Sequence, residues 1–192
     1  MVTYEQWRNA QVYERKAHTY PIDKALKVYE QSYAQYFKYL GIKHNQHKKK
    51  ILEIGCADIP ALYFCDNFIG TVIEPMPSPI LTELCTKKHI YLIQDMAETC
   101  RWPADIDEIW LFNVLQHVMT PNIIVNRAKT DAKKIRFFEP INTSITTKHL
   151  HGFTFAYFKN HFGDIVQYYP TNTEAVNFHT HECAYGTFIV NK

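Results

Sequence analysis

The 192-residue sequence lacks several features that would assign it to a class at once. No run of about 18 apolar residues occurs, so the sequence predicts no membrane-spanning helix. The first residues, MVTYEQWRNAQ, are polar and charged and do not resemble a signal peptide, so we expect a cytoplasmic protein. The net charge of +2 is close to neutral. It gives no basis for the concentrated basic face that nucleic-acid binding requires.

The cysteines form no recognisable motif, and glycine is sparse in the turn where a nucleotide-binding site would need it. The five cysteines contain no C-x-x-C pair, and their scattered spacing fits neither a zinc module nor a disulfide framework. A reducing compartment is therefore predicted. Only one glycine lies in the stretch KKKILEIGCADIPALYF, where a nucleotide-binding turn usually carries two or three.

The residues that are present predict one domain spanning 1–192, because 46% of them are hydrophobic and 13 Tyr and 12 Phe can fill a substantial core. Residues 1–45 are predicted to form an N-terminal helical cap of two helices. Thr3 and Gln6 form a capping box. Apolar residues recur at helical spacing in the second helix, which Gly41 ends. A core over residues 50–192 follows.

Strands and helices alternate through this core. The predicted strands are KILEIG, GTVIEP, HIYLIQD, DEIWLFN and KIRFFEP, and the predicted helices between them are PALYFCDNF, SPILTELCTKK and TPNIIVNRAKTDA. Such alternation indicates βαβ units and a parallel sheet. At the end of the chain, FTFAYFKNHF predicts a helix, and DIVQYY and YGTFIV predict two strands that pair antiparallel.

Ligands of an open α/β sheet bind beyond the carboxyl ends of its strands, so the residues there are candidates for a site. The first strand runs into Glu53-Ile54-Gly55-Cys56-Ala57-Asp58. The second ends in Glu74-Pro75, and Glu74 follows Gly55 by about the 20 residues expected of an acid that binds ribose hydroxyls. The third strand runs into Asp95-Met96-Ala97, and the fourth ends at Asn113, which leads to His117.

These segments, in this order, resemble the class I S-adenosylmethionine-dependent methyltransferases between about residues 50 and 162. The resemblance implies a three-layer α/β sandwich with a seven-stranded, mostly parallel sheet, an antiparallel last strand and an N-terminal helical cap. It implies S-adenosylmethionine as cofactor. The residues that it assigns to cofactor binding are Glu53, Gly55, Cys56 and Ala57 near the methionine moiety, Glu74 and Pro75 at the ribose, Asp95, Met96 and Ala97 at the adenine, and Asn113 from the fourth motif.

The function that we expect is methyl transfer to a hydroxyl of a small-molecule or glycan substrate, without nucleic-acid or membrane partners and with the oligomeric state open. A hydroxyl acceptor needs a base that titrates near ambient pH, which suits histidine. The candidate bases are His117, His149 and His151. The loop INTSITTKHLHGF, after the fifth strand, is expected to rim the acceptor side.

Some residues depart from the family pattern and leave alternatives open. Ala57 replaces the second glycine, KTDAKK replaces the usual turn before the fifth strand, and Asn113 does not begin an Asn-Pro-Pro-Tyr motif. One alternative is a cofactor-binding module without turnover. Another is a metal-assisted enzyme that uses the pairs His149/His151 and His179/His181, although we assign no metal ligand. A nicotinamide-dependent oxidoreductase would need G-x-G-x-x-G/A, which GCADIP does not provide. Glu14 and His18 could face solvent or the cleft.

Overall fold

A computed structural model describes residues 2–17, 21–170 and 181–191, and in these ranges the chain forms five α-helices and seven β-strands. The helices are α1 (Tyr4–Ala17), α2 (Ile22–Leu40), α3 (Pro79–Lys87), α4 (Pro121–Asp131) and α5 (Phe155–Phe162). The strands are β1 (Asn45–Ile54), β2 (Asp66–Ile73), β3 (Tyr91–Ile93), β4 (Ile106–Phe112), β5 (Ala132–Pro140), β6 (Gln167–Tyr169) and β7 (Cys183–Ile189). No helix in these ranges combines the length and apolar character needed to cross a membrane.

The strands form one sheet in the order β3-β2-β1-β4-β5-β7-β6. The pairs among β1 to β5 are parallel, whereas β7 runs antiparallel to both β5 and β6. This confirms the predicted seven-stranded, mostly parallel sheet with an antiparallel last strand. The order reverses beside β1, so the carboxyl ends of β1, β2 and β4 open on the crevice where ligands of such sheets bind.

Local sequence signals explain most helix boundaries. Thr3 and Gln6 make the predicted capping box at the start of α1. Gly41 ends α2 in the left-handed conformation, with φ of 62°. Ser78 caps α3 by accepting a hydrogen bond from the Leu81 N–H, and Pro79 occupies the first turn.

The helix predicted for PALYFCDNF is wrong. Only a four-residue 3₁₀ helix forms there, Ala61–Phe64, and β2 begins two residues later at Asp66. β1 also starts earlier than predicted, so the two strands pair from Asn45 and Asp66 onward. Long strand pairing therefore leaves no chain for a crossover helix between β1 and β2.

The N-terminal helix α2 covers the face that this missing helix would cover. Its apolar side packs with the short 3₁₀ helix, α3 and one face of the sheet, and the buried aromatic residues involved are Tyr29, Tyr33, Tyr36 and Phe37. The other face packs against α4 and α5. Both faces of the sheet are thus buried, which agrees with the near-continuous apolar strands.

A charged cluster fixes the end of α2 to the opposite edge of the sheet. The Glu108 carboxylate is nearly inaccessible, and it accepts hydrogen bonds from Lys49 at 2.8 Å and from Arg136 at 2.6 Å. Despite the desolvation, hydrogen bonds from Arg136 and Lys49 lower the pKa of Glu108 to about 2. Arg136 also donates to the Leu40 carbonyl at the last turn of α2. This contact holds α2 in register over the sheet, where its tyrosines face the crevice.

Candidate functional site

A cavity opens beyond the carboxyl ends of β1, β2, β3 and β4, with about 1070 Å³ of empty space including its mouth. The strand-end residues that line it are Ile54, Gly55, Cys56, Ala57, Asp58, Ile73, Glu74, Pro75, Met76, Met96, Ala97, Glu98, Phe112, Asn113, Val114, His117 and Val118. The helix residues that line it are Trp7, Gln11, Glu14 and Arg15 from α1 and Tyr29, Tyr33 and Tyr36 from α2.

The turn after β1 bends by placing two residues in the left-handed region, Gly55 at φ of 63° and Ala57 at φ of 52°. A Cβ atom on Gly55 would lie 2.2 Å from Cγ2 of Val114, so this position accepts only glycine. Ala57 has no such clash to avoid, but its own Cβ makes the left-handed conformation unfavourable. The turn therefore has a positive φ at the position where Ala57 replaces the second glycine of the family pattern.

Glu53 does not line the cavity. Its buried carboxylate lies below the turn and accepts hydrogen bonds from the backbone N–H groups of Ala61 at 2.7 Å and Leu62 at 3.0 Å. Burial raises the pKa of Glu53 to about 7, although these two hydrogen bonds oppose the shift. Glu53 thus occupies the free N–H groups that begin the short 3₁₀ helix, and it holds the turn from behind.

Glu74 does line the cavity, at the end of β2. It is 8% exposed, and its Oε1 accepts a hydrogen bond from the Met76 N–H at 3.2 Å. Burial raises the pKa of Glu74 to about 7, while backbone N–H groups of Met76 and Cys56 and the positive charge of Arg15 act in the opposite direction. A carboxylate in this setting can accept hydrogen bonds from two adjacent hydroxyls.

Of the three residues predicted for the segment after β3, two line the cavity and one does not. Met96 and Ala97 line the cavity together with Glu98, whereas Asp95 is exposed and is not among the lining residues. The Asp95 carboxylate accepts a hydrogen bond from the Met96 N–H at 2.7 Å. Asp95 therefore shapes the turn that presents Met96 to the cavity.

Asn113 and His117 follow β4 on the cavity wall. Asn113 has a left-handed backbone, with φ of 55°, and its N–H bonds to the Phe138 carbonyl at 2.9 Å. His117 closes a short 3₁₀ helix, and its Nδ1 lies 3.1 Å from the Lys148 carbonyl. A carbonyl only accepts hydrogen bonds, so Nδ1 carries the proton and Nε2 is the basic nitrogen of the neutral ring.

The other two candidate histidines lie behind His117, outside the cavity lining. His149 packs edge-on against the His117 ring, with centroids 5.1 Å apart, and His151 Nε2 donates to the Val118 carbonyl at 2.9 Å. Burial lowers the pKa of His149; nearby Glu14 opposes this shift and the charges of His181 and Lys148 add to it. None of residues 141–153 is among the described residues that line the cavity.

Instead, this loop is fastened along the segment after β4. The Leu150 N–H bonds to the Gln116 carbonyl at 2.8 Å, next to the contacts of His117 with Lys148 and of His151 with Val118. The predicted acceptor loop therefore supports the His117 ring from its outer side.

Helix α1 lies across the mouth of the cavity. Gln11 donates to the His117 carbonyl at 2.8 Å on one side, and Arg15 donates to the Met76 carbonyl on the other. Trp7 is buried and faces the cavity between these ties. Of the two helices predicted as the N-terminal cap, α1 bridges the turns after β2 and β4, whereas α2 packs on a face of the sheet.

Two residues that support the cavity wall, Glu139 and Gln116, were not predicted from the sequence. Glu139, at the end of β5, is fully buried and accepts hydrogen bonds from Val114 N–H at 3.0 Å and Leu115 N–H at 3.2 Å. Burial raises the pKa of Glu139 to about 8, although both hydrogen bonds oppose the shift. Gln116 is also buried, between Asn113 and His117. The acid in KIRFFEP follows an apolar run as Glu53 does, and this was the available signal for Glu139.

The described residues contain no group of three or more His, Cys, Asp or Glu side chains arranged to hold a metal ion. His149 and His151 bond to or pack against the segment after β4, as given above. His18 and His179 lie outside the described residues, so the predicted relation of Glu14 to His18 and the second histidine pair are not described.

Comparison with known proteins identified related folds among solved structures. No family model and no curated protein matches the sequence. The N-methyltransferase NodS of Bradyrhizobium japonicum, in complex with S-adenosyl-L-homocysteine, aligns with a TM-score of 0.59 and 14% identity over 86% of this chain and 88% of its own. The 1,6-didemethyltoxoflavin-N1-methyltransferase of Burkholderia thailandensis aligns with a TM-score of 0.66 and 10% identity over 100% and 92%.

A third solved structure, the N-terminal domain of EvdMO1 with S-adenosylhomocysteine bound, aligns with a TM-score of 0.55 and 12% identity over 83% of this chain and 80% of its own. These likenesses confirm the class I methyltransferase fold. At such identities they extend to the fold alone, so the activity has to be argued from the residues of the cavity.

Proposed function

We propose that the protein transfers the methyl group of S-adenosylmethionine to a hydroxyl oxygen of a small-molecule or glycan acceptor. The observation that carries the proposal is one cavity that gathers the Gly55–Asp58 turn, Glu74 and Met96–Glu98 from the ends of three neighbouring strands. The solved structures with this fold that are described above include methyltransferases with S-adenosylhomocysteine bound.

The chemistry of the lining fits such a cofactor. The Glu74 carboxylate suits a ribose diol, since a buried, ionised carboxylate forms strong hydrogen bonds with two hydroxyls. Met76, Met96, Ala97 and Val118 offer apolar surface for a flat adenine ring. The turn at Gly55 and Ala57 brings backbone close to the methionine portion. When bound, S-adenosylmethionine supplies an activated methyl group on a sulfonium, so the protein mainly has to align the acceptor.

The first turn is poorly suited to a dinucleotide. A Rossmann dinucleotide site places pyrophosphate on the free N–H groups at the start of the first crossover helix. Here that helix is replaced by the short 3₁₀ helix, and the Glu53 carboxylate already occupies the N–H groups of Ala61 and Leu62. A second anion at this place would meet a carboxylate in place of free donors.

His117 is the residue that we propose as general base. It is the predicted histidine on the cavity wall, and the Lys148 carbonyl holds its Nδ1 proton so that Nε2 is the basic atom. Nε2 would accept the O–H proton while the methyl group passes from the sulfonium to the hydroxyl oxygen, after the Gln116 amide, which lies 3.2 Å from Nε2, has moved aside. His149 and His151 support the ring and its loop.

Radiolabelled methyl transfer to a panel of sugars, phenols and alcohols tests this proposal. We expect His117→Ala to lower turnover about 10²–10⁴-fold on a true acceptor, the usual contribution of a general base. His161→Ala serves as the matched control, since it removes a half-buried imidazole on α5, away from the cavity and from His117. Equal turnover of His117→Ala and the wild type would contradict the assignment of the base.

Ala57 gives one specific reason to keep a second candidate, a module that binds the cofactor without turnover. Its left-handed conformation is unfavourable for a residue with a Cβ atom. Binding of S-adenosylhomocysteine together with no methyl transfer to any acceptor of the panel would favour this candidate.

A further inference from the structure

Gln116 lies beside the cavity wall and links two of its residues. Its side chain is buried, and Nε2 donates to Asn113 Oδ1 at 2.8 Å. The same Nε2 lies 3.2 Å from Nε2 of His117. Both amide protons of Gln116 are therefore directed at residues that line the cavity.

The direction of these hydrogen bonds follows from the Lys148 carbonyl. Because that carbonyl fixes the proton on His117 Nδ1, the lone pair on Nε2 of the neutral ring accepts the second Gln116 N–H. In this arrangement the lone pair is covered, and rotation of the amide in place would cover it with Oε1. His117 therefore accepts a proton at Nε2 only when the Gln116 side chain first swings away from the ring.

The Gln116 Oε1 atom indicates the second arrangement. It is buried and accepts no hydrogen bond from any residue within the described ranges, which is unfavourable for an amide oxygen. Rotation of the amide by 180° exchanges Oε1 and Nε2. Oε1 then faces His117 Nε2 and gains a donor there, but only when that nitrogen carries a proton.

The same rotation affects Asn113. Its Oδ1 now accepts from Gln116, and its Nδ2 makes no hydrogen bond to a described residue. If Gln116 turns its oxygen toward Asn113, Asn113 must rotate to donate, and the polarity that it offers to the cavity changes from donor to acceptor. Protonation of His117 and rotation of the Asn113 amide are then coupled through the Gln116 amide, which bonds to both residues.

We propose that Gln116 is a positioning residue that couples the protonation of His117 to the orientation of Asn113 on the cavity wall. The proposal rests on the proposed function in taking His117 as the base, which gains the acceptor proton at Nε2 as the methyl group moves. Each turnover then reverses both amides, and loss of the proton to solvent resets them. Among described residues, the His149 ring, the Lys148 carbonyl and the Gln116 amide contact the His117 ring, and Glu14 on α1 lines the same cavity.

Nitrogen-15 NMR of the ligand-free protein tests the coupling without requiring activity. In the wild type we expect the neutral His117 ring to carry its proton on Nδ1, and the side-chain amide signals of Asn113 to shift with the same pH midpoint as His117. Gln116→Leu should abolish the Asn113 response, because the leucine cannot relay it. Gln116→Glu should raise the His117 midpoint by one unit or more, because a carboxylate only accepts.

Gln167→Leu, on the exposed edge strand β6, is the control and should change neither signal. Melting curves identify any variant that fails to fold. If Gln116→Glu fails, the comparison of Gln116→Leu with the wild type still tests the coupling, since leucine fills the same buried space. The proposal is overturned if His117 carries its proton on Nε2 when neutral, or if the Asn113 signals follow His117 equally in Gln116→Leu. Failure of S-adenosylhomocysteine to bind would instead contradict the proposed function and leave these NMR outcomes unaffected.

Discussion

At the scale of single residues, three acids at strand ends look alike in the sequence and differ in the structure. Glu53, Glu74 and Glu139 each follow an apolar run, and all three are buried. Glu53 and Glu139 each use the carboxylate to hold two consecutive backbone N–H groups, whereas Glu74 alone faces the cavity. The sequence predicted Glu53 and Glu74 at strand ends and missed Glu139, and which way each side chain points depends on the turn that packs against it.

The first prediction concerns the left-handed turn after β1. Gly55→Ala should lower the free energy of unfolding by roughly 2–5 kcal/mol, since it adds left-handed strain to a clash with Val114. A Val114→Ala background removes the 2.2 Å contact and leaves only the Val114 Cβ close, at 3.2 Å, so mainly the left-handed strain of about 1–2 kcal/mol should remain. Urea unfolding of the four proteins measures both values.

Ala57→Gly is the control, because it removes a Cβ from the same turn without a clash, and it should change stability by no more than about 1 kcal/mol. An equal cost of Gly55→Ala in both backgrounds would show that Val114 does not determine the requirement for glycine.

The second prediction concerns Glu74 and pH. Its pKa of about 7 means that the carboxylate is ionised above this pH and protonated below it. Affinity for S-adenosylhomocysteine should therefore rise as pH increases from 6 to 8, because the ionised form accepts hydrogen bonds from both ribose hydroxyls. Glu74→Gln should weaken binding by roughly tenfold to a hundredfold at pH 8 and by less at pH 6. Calorimetry at the two pH values measures this, and an equal loss at both would exclude ionised Glu74 as the ligand group.

At the scale of elements, the regular helices and strands were predictable and the first crossover was not. α3 and α4 begin at proline and α5 follows a threonine cap, so the residues next to each start are enough to predict it. The PALYFCDNF segment has an apolar pattern that suits a helix, but β2 extends back to Asp66 and pairs with β1. Pairing between distant segments overrides local preference here, and a single sequence does not reveal that register.

The third prediction concerns the turn after β4, which Glu139 holds. The folded-state pKa of about 8 lies above the ordinary value, so the folded protein keeps this proton where the unfolded chain has released it. The contribution of Glu139 to stability is present below about pH 4.5 and is lost as pH rises through about 8. Glu139→Gln should remove this dependence, so that its stability relative to the wild type increases with pH by at most about 1.4 kcal/mol per unit.

Urea unfolding at pH 5, 6.5 and 8 measures the effect of Glu139. Glu83→Gln, an exposed acid on α3, is the control and should leave the pH dependence unchanged. Because Glu53 and Glu74 also titrate near pH 7, some pH dependence remains in both proteins. A slope equal to that of the wild type in Glu139→Gln would show that Glu139 does not titrate in this window.

At the scale of the whole molecule, the alternation of strands and helices was sufficient to predict the strand directions in the sheet. Strands joined by crossover helices run parallel, and the last two strands, with no helix between them, pair antiparallel. The cavity needed the tertiary structure. Tyr29, Tyr33 and Tyr36 looked like ordinary core residues of α2, and they line the site because α2 takes the place of the missing crossover helix. The loop with His149 and His151 was expected at the acceptor side, but it lies behind His117.

Calorimetric titration with S-adenosylhomocysteine and with NADH tests the central claim, a site for S-adenosylmethionine at the ends of β1, β2 and β3. We expect S-adenosylhomocysteine to bind at one site per chain and NADH to produce no binding heat. Glu74→Ala should weaken the binding of S-adenosylhomocysteine by roughly tenfold to a hundredfold, because charge-assisted hydrogen bonds are lost. Binding of NADH with no binding of S-adenosylhomocysteine would contradict the claim, and unchanged affinity in Glu74→Ala would contradict the location of the site.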